Sequence, residues 1–141
     1  MDVRASNGFN LLAVGLGSGL GASTRYLCSW LIMTHFAVSG VWSTLAVNVL
    51  GSWLIGLYAR LTEPDGPLVA SPLTRQFVVV GFCGGFTTFS MFSLETLVFI
   101  QQQAWGWAGL NIAASLLLWL LAVGLGYRLA GRWCGQRVNP L

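Results

Sequence analysis

The residues best suited to chemistry crowd into one stretch, GFCGGFTTFSMFSLE (81–95). Gly81, Gly84 and Gly85 are followed by Thr87 and Thr88, a poor run for an unbroken helix. Glycine costs backbone entropy there and β-branched threonine adds little. A break within a membrane helix frees carbonyl and N–H groups that lipid cannot satisfy. Such breaks are tolerated where protein buries the freed groups, a cavity meets them or an ion binds them. Hard cations such as sodium prefer oxygens of this kind. After the break, Phe86, Phe89 and Phe92 recur every three residues, and Thr87, Ser90 and Ser93 make a neighbouring hydroxyl stripe. Six of the eight phenylalanines lie between 77 and 99. A phenylalanine stripe ordinarily packs. Phenylalanine interleaved with hydroxyls beside a helix break marks a candidate functional face.

Two other stretches carry polar stripes. In WSTLAVNVLGSWLIG (42–56), Thr44, Asn48 and Ser52 recur every fourth residue on an otherwise apolar helix. The amide of Asn48, placed near the bilayer centre, must find partners, either another helix or an ion or water in a pore. Trp107, Asn111 and Ser115 repeat the spacing farther on, and the other tryptophans read as interfacial anchors. In GLGSGLGASTRY (15–26), Gly15 and Gly19, and likewise Gly17 and Gly21, form small faces that let another helix approach closely. Arg25 follows four residues after Gly21. At that depth an arginine is costly unless it snorkels or meets a wet cavity, so it is a structural anchor or an anion-attracting residue of a vestibule.

Enzyme chemistry finds no footing. Cys28, Cys83 and Cys134 are odd in number and give no disulfide framework. They share no ligand spacing with the lone His35 and read as apolar fillers beside an interfacial histidine. There is no Ser-His-Asp set, no paired carboxylate, no phosphate-binding loop and no basic tract for nucleic acid.

The elements that must position these residues follow from composition. Only 11 of 141 residues are charged (seven Arg, no Lys, four acids), about a third of the usual share. Apolar residues make up 55%. Eleven charges cannot coat a soluble domain, so lipid replaces water as solvent and the chain is expected to be an all-α integral membrane protein. Uncharged windows of 20, 24, 19 and 32 residues separate Arg4 from Arg25, His35 from Arg60, Arg75 from Glu95 and Glu95 from Arg128. Crossing the hydrocarbon takes roughly 20 residues. Four transmembrane helices are therefore expected, at about 9–32, 40–59, 76–101 and 105–127, the third broken near the midplane, in a single membrane domain spanning 1–141. The first window is too long and too glycine-patterned for a removable signal peptide. EPDGP (63–67) is the one clear turn cluster. With four spans, Arg4, Arg60, Arg75, Arg128, Arg132 and Arg137 share one side and Arg25 stands alone, which places both termini in the cytoplasm.

The motifs GxGxGxGAxxRY, STLxVNxxGSWLIG and GFCGGFTTFSMFSLE, in that order, closely resemble the CrcB/Fluc fluoride channel family. The resemblance covers three of the four expected helices. It implies an antiparallel, dual-topology homodimer enclosing two fluoride pores in the cell (inner) membrane, exporting F⁻ passively from the cytoplasm. It also implies a central structural Na⁺, not transported, held by the backbone carbonyls of Gly84 and Thr87 from each copy. On the same grounds Phe89 and Phe92 line the pore, Asn48 is its asparagine and Arg25 ends the first motif. Fluoride is small and strongly hydrated, so a pore must replace its water with donors; Ser90, Ser93 and Ser115 offer hydroxyls beside the Asn48 amide. The positive edge of a phenylalanine ring adds a weak anion contact. Met91 stands where the family phrase TTFSTFS has threonine, and the arginine bias sits uneasily with two insertion topologies. Two alternatives remain. A proton-coupled exporter of the small multidrug-resistance type would need Glu95 as its titrating carboxylate. A non-transporting membrane subunit would use the glycine faces to dock a partner.

Overall fold

In a computed structural model the chain is helical throughout, with no strand among the described residues. Residues 3–138 are described, and their side chains over 8–133, so the side chains of Arg4, Cys134 and Arg137 lie outside the described residues. Helix α1 (Val3–Phe36) is followed by α2 (Gly40–Leu61). The third apolar stretch is divided into α3 (72–86) and α4 (Phe89–Gln101), and α5 (Trp105–Val138) ends the fold.

Three helical stretches are long and apolar enough to cross a membrane: Gly40–Leu61, Pro72–Gln101 and Trp105–Trp133. The first helix has the length, 34 residues, but its glycines and Arg25 dilute its apolarity. The helices outrun the expected windows. They continue through Arg60, Arg75, Arg128 and Arg132, because a helix need not stop where the hydrocarbon does. Long cationic side chains at such ends reach the headgroup layer.

α3 starts behind Ser71, whose hydroxyl accepts the Thr74 N–H at 3.1 Å, with Pro72 at the first helical position. From Gln76 to Cys83 the backbone bonds in the wider π register, and Gly84–Phe86 closes it with an α-turn. Here the glycine run departs from expectation. Gly81, Gly84 and Gly85 are all helical, and the chain leaves the helix two residues later, at the threonines.

The glycines instead let α1 and α3 touch backbone to backbone. A Cβ on Gly17 would lie 2.9 Å from the Phe82 nitrogen, and one on Gly85 would lie 2.8 Å from the Ser18 Cα. A Cβ on Gly21 would collide with the Phe82 carbonyl. Such close approach offsets glycine's cost in a helix, about 1 kcal/mol against alanine. Only one of the two glycine pairs serves this seam. Gly15 and Gly19 face open space.

α2 meets α5 in the same manner, Gly56 against the Val123 carbonyl and Gly126 against that of Trp53. At the α2–α3 turn, Arg60 grips Asp65 at 3.1 and 2.9 Å and Glu63 at 3.2 Å, and Tyr127 donates to Glu63 at 2.9 Å. That network ties the EPDGP turn to α5.

Candidate functional site

The site is built around the break. Thr87 (φ −79°, ψ 157°) and Thr88 (φ −144°, ψ 112°) are extended, at the centre of the stretch Pro72–Gln101. In a continuous helix the Thr88 N–H would donate to the Gly84 carbonyl, and that of Met91 to Thr87. Both donors are diverted. The Thr88 N–H goes to Asn48 Oδ1 at 2.7 Å, and the Met91 N–H to Thr88 Oγ1 at 3.2 Å. Asn48 Nδ2 completes the clamp by donating to the Thr88 carbonyl at 2.9 Å. The carbonyls of Gly84 and Thr87 thus lose their regular helical donors. Thr87 is held by its own N–H and hydroxyl, both donating to the Cys83 carbonyl, at 2.9 and 3.0 Å. Gly51 makes the arrangement possible, since any Cβ there would strike Thr87 Cγ2.

A cleft of about 170 Å³ opens beside the clamp, lined by Asn48, Ser52, Thr87, Thr88, Phe89 and Trp119 with Ile55. Asn48 is buried, and its amide keeps a second N–H beyond the one given to Thr88. Phe89 is 69% exposed and Phe92 only 7%. Their ring centroids stand 5.4 Å apart, tilted by 52°. Phe92 meets Trp119 edge to face at 5.1 Å. A second cleft, of about 270 Å³, lies on the other side of Thr88 and is lined by Arg25, Ser43, Thr44 and Met91 among others. There Arg25 Nε and Ser43 Oγ are buried without a hydrogen-bond partner.

The profile of the family described as "CrcB-like protein, Camphor Resistance (CrcB)" matches residues 12–127. The chain belongs to the CrcB family. A relative from Opitutus terrae named fluoride-specific ion channel FluC is 46% identical over 116 residues, covering 82% of this chain and 88% of the relative. A relative of the same name from Paramagnetospirillum magneticum is 49% identical over 114 residues, covering 81% and 89%. A third, from Methylobacterium radiotolerans, is 41% identical over 128 residues, covering 91% and 89%. With its apolar helices, this CrcB chain is a multi-pass membrane protein of the ion-channel class.

The fold of this CrcB member sorts the residues expected to be functional. Asn48, Thr87 and Phe89 meet in one cleft, and Phe92 lies directly behind Phe89. Gly84 is exposed on the same broken stretch. Ser90 and Ser93 are exposed: the first shares a hydrogen bond with Thr88 Oγ1 at 3.1 Å, and the second donates back to the Phe89 carbonyl at 2.9 Å. Ser115 is buried on α5 and does not line either cleft. Arg25 belongs to the second cleft, apart from the phenylalanines.

Four features escape a reading of the CrcB sequence alone. Thr88 is both helix cap and clamp partner. Thr44 donates to Glu95 Oε1 at 2.6 Å, occupying the one intramembrane carboxylate. Ser43 carries an unpartnered buried hydroxyl. Trp119 is an inner residue packed on Phe92 rather than an interfacial anchor. Its only trace in the sequence is position, four residues after Ser115 on the polar face of the last helix.

Proposed function

We propose that this chain is a fluoride channel, carrying F⁻ passively out of the cytoplasm across the cell (inner) membrane. It works as an antiparallel, dual-topology homodimer with four spans per copy, α1 supplying the fourth. The names of its relatives support the substrate, and the Asn48–Thr88 clamp carries the mechanism. The clamp holds the third stretch open and sets the Asn48 amide beside the Phe89 ring, with Phe92 packed behind it, in a cleft without a carboxylate. Donors and ring edges replace fluoride's water weakly and at several points, which suits an ion that must also leave.

The released carbonyls of Gly84 and Thr87 fit a structural Na⁺. They are neutral oxygens deprived of their helical donors, two per copy and four in an antiparallel pair. Such a set suits a small hard monovalent cation, whereas divalent ions usually draw carboxylates. Bound there, sodium supplies fixed positive charge near both anion paths and stabilises the pair. Gly84, Phe89, Ser90 and Met91 are exposed in one copy, which is consistent with a face completed by a second. A proton-coupled exporter would need a titrating carboxylate at mid-span, whereas Glu95 lies in the last third of the stretch Pro72–Gln101, engaged by Thr44.

Purified protein alone in liposomes tests the channel. Fluoride should leave as soon as a potassium ionophore relieves the voltage, while chloride stays. Retention of fluoride by liposomes containing assembled protein would refute the reading. A cysteine introduced in the 63–67 turn tests the topology. Labelling from each side should reach about half the copies, and labelling from one side alone would overturn the antiparallel pair.

A further inference from the structure

Three side-chain polar atoms are buried without a partner among the described residues: Arg25 Nε, Ser43 Oγ and Trp119 Nε1. The first two share the cleft beyond Thr88. Trp119 alone belongs to the cleft of Asn48 and Phe89. An indole N–H donates and cannot accept, and it does not titrate in any physiological range. Buried polar groups are ordinarily paired, so a donor left over in such a place needs an acceptor from outside the chain.

We infer that the indole N–H of Trp119 is a fluoride-binding donor of the conduction path, an assignment that rests on the channel reading above. Three observations converge on it. Trp119 lines the same small cleft as Asn48, so two side chains that carry neutral donors border one space that no charged side chain lines. Its ring is held edge to face against Phe92 at 5.1 Å, which fixes the donor's direction at little entropic cost. It continues the polar face of α5 that runs through Asn111 and Ser115. A donor-only group favours an anion over a cation, and a rigid bicycle narrows the passage. The cleft thereby gains both polarity and size discrimination from one side chain.

Trp119→Phe removes the N–H and part of the ring; 3-benzothienylalanine at the same position removes only the N–H, with sulfur in its place. Both variants should still assemble, and both should slow fluoride efflux from liposomes by about tenfold or more. In unaltered protein with ¹⁵N-labelled tryptophan, the Trp119 indole proton should move downfield on titration with fluoride but not with chloride. Wild-type flux in the benzothienyl variant would show that bulk alone matters and overturn the inference. So would an indole resonance indifferent to fluoride, whether the flux falls or not. Failure of the unaltered protein to pass any fluoride is a separate outcome, which sinks the channel reading itself.

Discussion

Residues 72–86 and 89–101 are two halves of one apolar stretch, and they use their small residues to different ends. In α3, Gly81 and Gly85 are pressed onto α1, while Gly84 stays exposed. Gly81 sits 3.0 Å from the Gly17 Cα by its would-be Cβ, and the Ser18 hydroxyl reaches the Gly81 carbonyl at 3.4 Å. In α4 the small residues are serines and threonines, and Phe89, Ser90, Met91, Ser93 and Leu94 are all exposed. One half is locked to its own chain backbone to backbone. The other half presents rings and hydroxyls outward, with only Phe92 and Thr96 buried. Lipid offers no hydrophobic force between helices, so the lock has to come from close packing. Close packing on one side of the break and the Asn48 clamp across it hold the two extended threonines in place.

Breaking that packing should have the largest effect. Gly21→Val places side-chain atoms where the Phe82 carbonyl and the Phe86 nitrogen already stand, the latter 2.8 Å from a Cβ. Neither backbone can retreat, so folded protein should be lost, read as the absence of a monodisperse peak on size-exclusion chromatography. Normal yield and flux would dissolve the contrast between the halves.

Next comes the junction. Replacing sodium by a large organic cation should abolish fluoride flux, slowly if the ion is occluded, while the helices remain folded by circular dichroism. Full flux after exhaustive sodium removal would leave the released carbonyls of Gly84 and Thr87 without a ligand. The exposed half should respond by degree rather than all or none. Phe89→Ile and Phe92→Ile should each slow flux by about tenfold or more with the dimer intact, the loss expected when a group acting along the path is removed. Wild-type rates in both would remove the rings from the path. Smallest of all is Gly15→Ala, where a methyl meets nothing within 4 Å. It should stabilise one copy slightly, by up to about 1 kcal/mol in denaturant titration, because alanine is the better helix former and displaces nothing. A large loss would mean that the open glycine pair is also covered, by the second copy.

Much of this is legible in the residues themselves. GGFTT announced a broken helix, and the break is there, but the threonines make it and the glycines do not. The reason lies in competition between local and distant terms. Helix propensity marks glycine as the weak point, yet Gly81 and Gly85 stay helical because α1 packs against them. Thr87 and Thr88 leave the helix because Asn48 takes the Thr88 N–H and carbonyl from 40 positions away. Periodicity put Thr44, Asn48 and Ser52 on one face, and all three do turn toward the broken stretch. The π register of Gln76–Cys83 left no mark in the residues, since it shifts each bond by one position and depends on the neighbouring helix.

By itself the sequence determined what depends on composition and on near neighbours. Few charges imposed a lipid solvent, uncharged windows set the helices, and three motifs placed the chain among CrcB proteins. Which of two equally spaced glycine pairs would be buried could not follow from spacing, because Gly15/Gly19 and Gly17/Gly21 differ only in which helix lies beside them. Nor could the fate of a single hydrogen-bond donor. Asn48, Thr88, Phe92 and Trp119 are distant in sequence, and only the packed helices decide that the first two satisfy one another while Trp119 holds an N–H in reserve.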